Sequence, residues 1–157
     1  MIKRKTYKGL INKLEEDQIF VFGSNTEGRH GSGTAKIAVK NYGAKYGQGH
    51  GLQGNSYGLV TKNLKKSYYD KINNKIFNKV GPRSLEEEDI KINIKKLYEF
   101  AELNNDKEFL IAYTSKGINL NGYNCIEMAK MFISKNIPNN IIFEDEFYKL
   151  INFYKEE

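Results

Sequence analysis

Ten of the fourteen glycines in this 157-residue chain fall between Gly23 and Gly58, and they begin where an apolar run, Ile19-Phe20-Val21-Phe22, ends. A continuous apolar run of this length suits a central strand covered on both faces. Here it empties into a glycine-rich loop. The loop feeds a segment in which Ala35, Ala38, Val39 and Tyr42 recur at helical spacing, closed by Gly43. Glycine tolerates positive φ and close backbone approach, so successive N–H groups can converge on an anion beside a helix N-terminus. The fold is constrained accordingly: strand, anion-type loop, helix.

The rest of the chain extends that pattern. Ser56–Thr61 reads as a second strand, Phe109–Tyr113 as another buried strand, and Ile141–Phe143 as a last one. Ser84 with Glu87, and Asn124 with Glu127, have the spacing of capping boxes, each followed by apolar residues on one helical face. Phe147, Leu150, Ile151 and Tyr154 mark a closing helix. Residues 63–83 read as a polar surface excursion with a short helix. Strands alternating with helices imply an α/β fold, a three-layer α/β/α arrangement around a mainly parallel or mixed sheet, with residues 1–157 as a single domain. Such sheets bind ligands outside the carboxyl ends of their strands. The loops 23–33 and 114–123 both leave such ends and are expected to face each other across one cleft.

Composition narrows the function classes. The only cysteine is Cys125, so no intrachain disulfide forms and a cytoplasmic location is expected. Its place at a helix start raises thiolate chemistry as an option, against the commoner role of a packed side chain. With two histidines besides, no zinc-type ligand set is visible, and neither a structural metal nor a cofactor is expected. No run reaches membrane-spanning length, so no membrane partner is expected. The net charge of +6 is uneven: residues 1–79 carry 15 Lys/Arg against 5 Asp/Glu, whereas residues 80–157 carry 10 against 14. The basic half holds the glycine loops and favours a polyanionic ligand. GSGTA lacks the GK[ST] ending of a P-loop, which argues against NTP hydrolysis.

Three motifs in order, FGSNTEGRHGSGTA (22–35), GQGHGLQGNSY (47–57) and GINLNGY (117–123), carry a family resemblance. The chain resembles the macrodomain superfamily of ADP-ribose-binding modules, most nearly a bacterial and phage group with similar loops. The resemblance implies a macrodomain-like fold and binding of ADP-ribose or a related nucleotide, for signal sequestration or recognition of an ADP-ribosylated macromolecule. It gives Asn25 the distal ribose, Gly31, Ser32 and Gly33 the loop around the diphosphate, and Gly117, Ile118, Asn119 and Gly122 the opposing loop, with Ser24 and His30 as neighbouring ligand-contact candidates. Ser56, Tyr57 and Tyr123 are further ligand-contact candidates, and Asp17 is a candidate for the adenine amino group. The chain departs from the pattern at Gly23-Ser24-Asn25, where a double alanine commonly precedes the asparagine, and at Ser115–Asn119, where the nearer group often has Arg-Ile-Gly-Cys-Gly.

Two alternatives stay open. An ADP-ribosyl hydrolase would need a catalytic group, for which Lys62 as nucleophile and His30 as general acid or base are the candidates. A basic nucleic-acid-binding accessory protein would use the positive charge and the eleven tyrosines.

Overall fold

Both faces of the strand at Ile19–Phe22 are covered, which explains its unbroken hydrophobicity. In the computed structural model, which describes residues 3–117 and 119–155, this strand is the core of β2 (Gln18–Asn25). Ile19 and Val21 point into a large buried cluster, and Phe20 and Phe22 point into a smaller one on the opposite face. The other elements in chain order are β1 (Thr6–Tyr7), α1 (Gly33–Asn41), β3 (Gly51–Gln53), β4 (Ser56–Lys62), β5 (Tyr68–Asp70), β6 (Lys75–Phe77), α2 (Glu87–Leu103), β7 (Glu108–Ile111), α3 (Cys125–Phe132), β8 (Ile141–Glu144) and α4 (Asp145–Lys155).

Six strands form one sheet in the order β1-β8-β7-β2-β4-β3, parallel throughout except for the antiparallel edge strand β3. The two longest apolar runs, in β2 and β7, are therefore its two central strands. Helices α2, α3 and α4 cover one face through Ile94, Leu97, Phe132 and Phe147, among others. On the other face α1 contributes Ala35 and Ala38, and Ile11 and Leu14 of the segment after β1 pack beside it. The result is a three-layer α/β/α fold with unequal outer layers.

Local signals explain most helix boundaries. The capping box at Asn124 is formed: its side chain accepts from Glu127 N (2.8 Å), and its own N–H donates to Glu127 Oε1 (3.0 Å). Gly43 ends α1 with φ +75°, and Ala44 N–H closes back onto Ala38 O. Val39 departs from the expected apolar face of that helix and is 38% exposed.

The Ser84–Glu87 capping box is a correction. The helix starts later, with Glu86 as N-cap donating its N–H to Asp89 Oδ2 (2.9 Å), because Ser84 Oγ is occupied accepting from Asn63 N (2.7 Å).

Residues 63–83 also differ from expectation. Instead of a short helix they hold an antiparallel hairpin of β5 and β6. Asp70, buried in this hairpin, has His50 Nε2 3.1 Å from both carboxylate oxygens and accepts from Ile72 N and Asn73 Nδ2. Tyr68 Oη donates to Thr26 O (3.0 Å), so the hairpin props the first glycine loop. Among the described residues, no helix is long and apolar enough to cross a membrane.

Candidate functional site

Neighbouring parallel strands β2 and β7 send their following helices to opposite faces of the sheet, α1 to one and α3 to the other. A crevice opens at the carboxyl ends of two strands that diverge in this way. It is present here as a cleft of about 390 Å³, and β2, β4 and the residues that follow β7 contribute to its floor.

Gly23 and Ser24 from β2 lie beside Thr61 and Lys62 from β4, and Ala112 and Tyr113 follow β7. The β2–β4 register shifts between Ser24 and Asn25, from Ser24↔Val60 to Asn25↔Lys62, leaving Thr61 as an extra residue at the rim. Gly23 is dictated by packing: an added Cβ would sit 2.6 Å from Tyr113 Oη. Burial pushes the Tyr113 hydroxyl up to about 12, against hydrogen bonds from Thr61 and Asn121 that pull it down, so it stays a neutral phenol under the floor.

The first wall is the loop from Asn25 to Gly33. Asn25 organises it by a reciprocal pair: Nδ2 donates to Arg29 O and Oδ1 accepts from Arg29 N, both at 2.9 Å. The side chain therefore satisfies its own turn while lining the cleft, and each of its polar atoms keeps capacity for one more bond. Gly31, Ser32 and Gly33 then bring the chain to the start of α1. The first-turn N–H groups of a helix have no intrahelical acceptor. Here the Ser32 side chain does not cap them and no acidic residue stands in that turn, so Thr34 and Ala35 present uncapped backbone to the cleft.

The second wall is the loop carrying Asn119, Leu120 and Asn121. It meets the first at Gly33, whose φ is +61° and whose Cβ, if present, would be 2.9 Å from Leu120 Cδ1. Lys62 Nζ reaches across to Leu120 O at 3.4 Å. Arg29 and Lys62 are the charged side chains among the described lining residues, which include no carboxylate.

The structure gathers Ser24, Asn25, Gly31, Ser32, Gly33, Asn119 and Lys62 at this cleft. Other candidates lie elsewhere. His30 is 3% exposed and turns inward, with Nε2 2.8 Å from Gln48 O and its ring edge-on to Phe22. Its Nδ1 is buried without a partner, away from the cleft-lining set. Ser56 Oγ donates to Tyr42 O (2.9 Å) beneath α1. Tyr57 packs in the core against Phe100 and Phe109, and burial pushes its hydroxyl up to about 12.

Tyr123 donates to Leu85 O (2.6 Å) and is covered by the Arg83 guanidinium. Gly122 lies against Pro82 and Arg83. Gly117 is exposed and not among the lining residues, and Ile118 lies outside the described residues. Asp17 precedes β2, at the opposite end of the sheet, where its carbonyl accepts from Glu108 N. Cys125 is half-buried in the first turn of α3.

Sequence reading missed Tyr46, which is 68% exposed and lines the cleft, and also Arg29, Thr61 and Tyr113. Thr61 and Tyr113 were legible as strand ends, but Tyr46 lies in the connection after α1 and carried no signal. The structure also shows an adjoining apolar pocket of about 250 Å³, lined by Tyr7, Leu10, Ile11, Phe20 and Ile37 and sharing Thr34 and Ala112 with the cleft. Among the described residues no cluster of three or more His, Cys, Asp or Glu side chains could hold a metal. No protein-family model matches the chain, and no curated protein or solved structure matches it significantly.

Proposed function

We propose that the cleft binds ADP-ribose or a closely related nucleotide. The observation that carries this reading is a second pocket beside the cleft, the two sharing Thr34 and Ala112 in their linings. A cleft with two cations, an uncapped helix start and no described carboxylate stands next to a more apolar pocket, the apolar lobe of the site, across Thr34 and Ala112. A nucleotide diphosphate has the matching halves. Its phosphates lie over Gly31–Ala35 between Arg29 and Lys62, the distal ribose meets Asn25, and the base enters the apolar lobe, where Asn12 offers the polar edge. The three motifs that resemble macrodomains support the same assignment.

The lining favours binding over hydrolysis, because general acid–base work needs a titratable group within hydrogen-bond reach of the substrate. His30 faces the interior, and Lys62 is the sole amine among the described lining residues. Calorimetric titration with ADP-ribose, its cyclic isomers and NAD tests the proposal, with saturable binding of at least one expected. A wild-type protein that binds none of them refutes it. Release of ADP-ribose from a modified substrate by wild type, lost in Lys62→Ala, would replace binding by hydrolysis.

A further inference from the structure

More cations surround the cleft than one diphosphate engages. Besides Arg29 and Lys62 in the lining, Lys36 directly follows the lining residue Ala35, Lys65 and Lys66 follow Leu64, and Lys116 stands three residues before Asn119. All four are exposed, and among the described residues none forms an ion pair. The acidic side chain of the first wall, Glu27, is held by Arg29 at 2.9 Å. Some cations of the neighbouring hairpin region are paired instead, Lys75 and Lys79 with Asp89 and Glu86, and Arg83 with Glu127. Lysines without a described ion pair occur elsewhere as well, Lys40, Lys71 and Lys135 among them; these four are set apart by their place in the chain beside the cleft lining.

Tyr46 is the second observation. It lines the cleft yet leaves 68% of its surface in water, and its described ring contact is edge-type, 6.4 Å between centroids, with His30. A large ring held at the entrance to a cationic groove offers a face for stacking. Phosphates tracking cations and bases stacking on exposed aromatic rings are the two interactions by which proteins hold unpaired nucleic-acid strands. An acidic peptide would use the lysines and leave Tyr46 idle. A duplex keeps its base faces stacked inside, out of reach of the ring.

We propose that the rim of the cleft, formed by Lys36, Lys65, Lys66 and Lys116 with Tyr46 at the entrance, is a docking surface for a single-stranded nucleic acid. Placed there, a strand would bring its own nucleotide units or adducts to the cleft that the preceding section assigns to a nucleotide. The surface does not depend on that assignment.

Fluorescence anisotropy with a labelled short oligothymidylate at two salt concentrations tests it, alongside calorimetry with ADP-ribose. Wild type binds the oligonucleotide and loses affinity as salt rises. The triple variant Lys65→Glu/Lys66→Glu/Lys116→Glu, whose residues do not line the cleft, weakens the oligonucleotide at least about tenfold. It also lowers the salt slope by about 2, at ~0.7 per lost phosphate contact. Its affinity for free ADP-ribose stays within about twofold of wild type. Tyr46→Ala weakens the oligonucleotide roughly five- to a hundredfold, the range of one base–aromatic stack, with the salt slope unchanged.

Absence of salt-dependent binding overturns the proposal, as does oligoglutamate competing equally well or Tyr46→Ala having no effect. Oligonucleotide binding without ADP-ribose binding supports the rim and removes the cleft assignment. ADP-ribose binding without oligonucleotide binding removes the rim alone.

Discussion

The two walls of the cleft are made of similar glycine- and asparagine-bearing sequence, yet they are anchored very differently. The first wall is fastened to the rest of the protein at several points. Asn25 and Arg29 close it internally, Gly47 N–H donates to Gly28 O (2.8 Å), Thr26 N–H donates to Lys62 O (3.0 Å), and Thr26 Oγ1 donates to Asn63 Oδ1 (2.7 Å). In the second wall the edge that lines the cleft closes on the loop itself: Asn119 N and Nδ2 both donate to Tyr123 O, and Tyr123 N donates to Asn121 Oδ1. The base of this loop is tied outward, by Arg83 N–H to Asn121 O (2.7 Å), Arg83 Nε to Gly122 O (3.1 Å) and Tyr123 Oη to Leu85 O (2.6 Å), whereas the described outward link of the Asn119–Leu120 edge is the long Lys62–Leu120 contact. Donors held in place before a ligand arrives spare it the cost of ordering them. Preorganisation therefore belongs to the first wall, while the Asn119–Leu120 edge of the second supplies contacts that adjust.

Substitutions on the two sides should differ in the same way. The largest effect is expected at Gly49, where any Cβ would collide with Asn25 O and lie 3.1 Å from Thr26 O. Gly49→Ala should cost about 3 kcal/mol, a fall of roughly 6–12 °C in Tm, by thermal unfolding. A change under about 1 kcal/mol would show that the first wall yields as readily as the second. Asn25→Ala comes next. It removes the partners of both Arg29 backbone groups and should cost about 2 kcal/mol of stability, and it should weaken ADP-ribose by about one to two decades. Undiminished affinity in the calorimeter would separate loop order from ligand binding.

Asp70 tests the outer support of that wall. Burial pushes its carboxyl up, but the hydrogen bond and charge of His50, with Ile72 N–H and Asn73, outweigh burial and leave the pKa lowered. A carboxyl with a depressed folded pKa contributes stability above its unfolded value, about 3.9, and that contribution is lost as pH falls through the folded value. Asp70→Asn should cost about 1–2 kcal/mol at neutral pH. It should also flatten the loss of stability below about pH 4, measured by urea unfolding across acid pH. An unchanged acid limb would remove Asp70 from this role.

Gly33→Ala, where the walls touch, should cost about 1 kcal/mol from its positive φ, because the half-exposed Leu120 can move aside. Lys62→Ala should change stability by less than about 0.5 kcal/mol, since its described contact is one long bond at an exposed site.

Legibility in the sequence followed the same divide between interior and rim. Ile19–Phe22 and Phe109–Tyr113, of which the strand itself keeps 109–111, declared themselves as central strands because both of their faces are buried, and Asn124 declared α3 because its cap is closed locally by Glu127. The hairpin at 68–77 did not. It is secured by distant partners, His50 to Asp70 and Asp89 to Lys75, which no local pattern announces.

The glycine loop and Asn25 were readable because the strand end fixes where they emerge. His30, Ser56, Tyr57 and Tyr123 were not, because a chemically able side chain next to a motif has two directions to take. Strand alternation sends Ser56 toward α1 and Tyr57 toward α2, neither of them toward the rim. Loop packing turns His30 onto Phe22.

The pairing of β2 with β7 carries a temporal consequence. Gln18 and Glu108, joined across the two central strands, are 90 residues apart in the chain. As the polypeptide leaves a ribosome, β2, α1 and β4 emerge together and can fold the first wall by local closure. The strand that seats the second wall arrives several seconds later at ordinary elongation rates of roughly 5–20 residues per second. During that interval one edge of β2 is an unpaired parallel strand, a pairing that is slow to form and open to wrong partners. A nascent chain arrested before residue 108 would hold half a cleft and a sticky edge, so the step that completes the site also ends its exposure to aggregation.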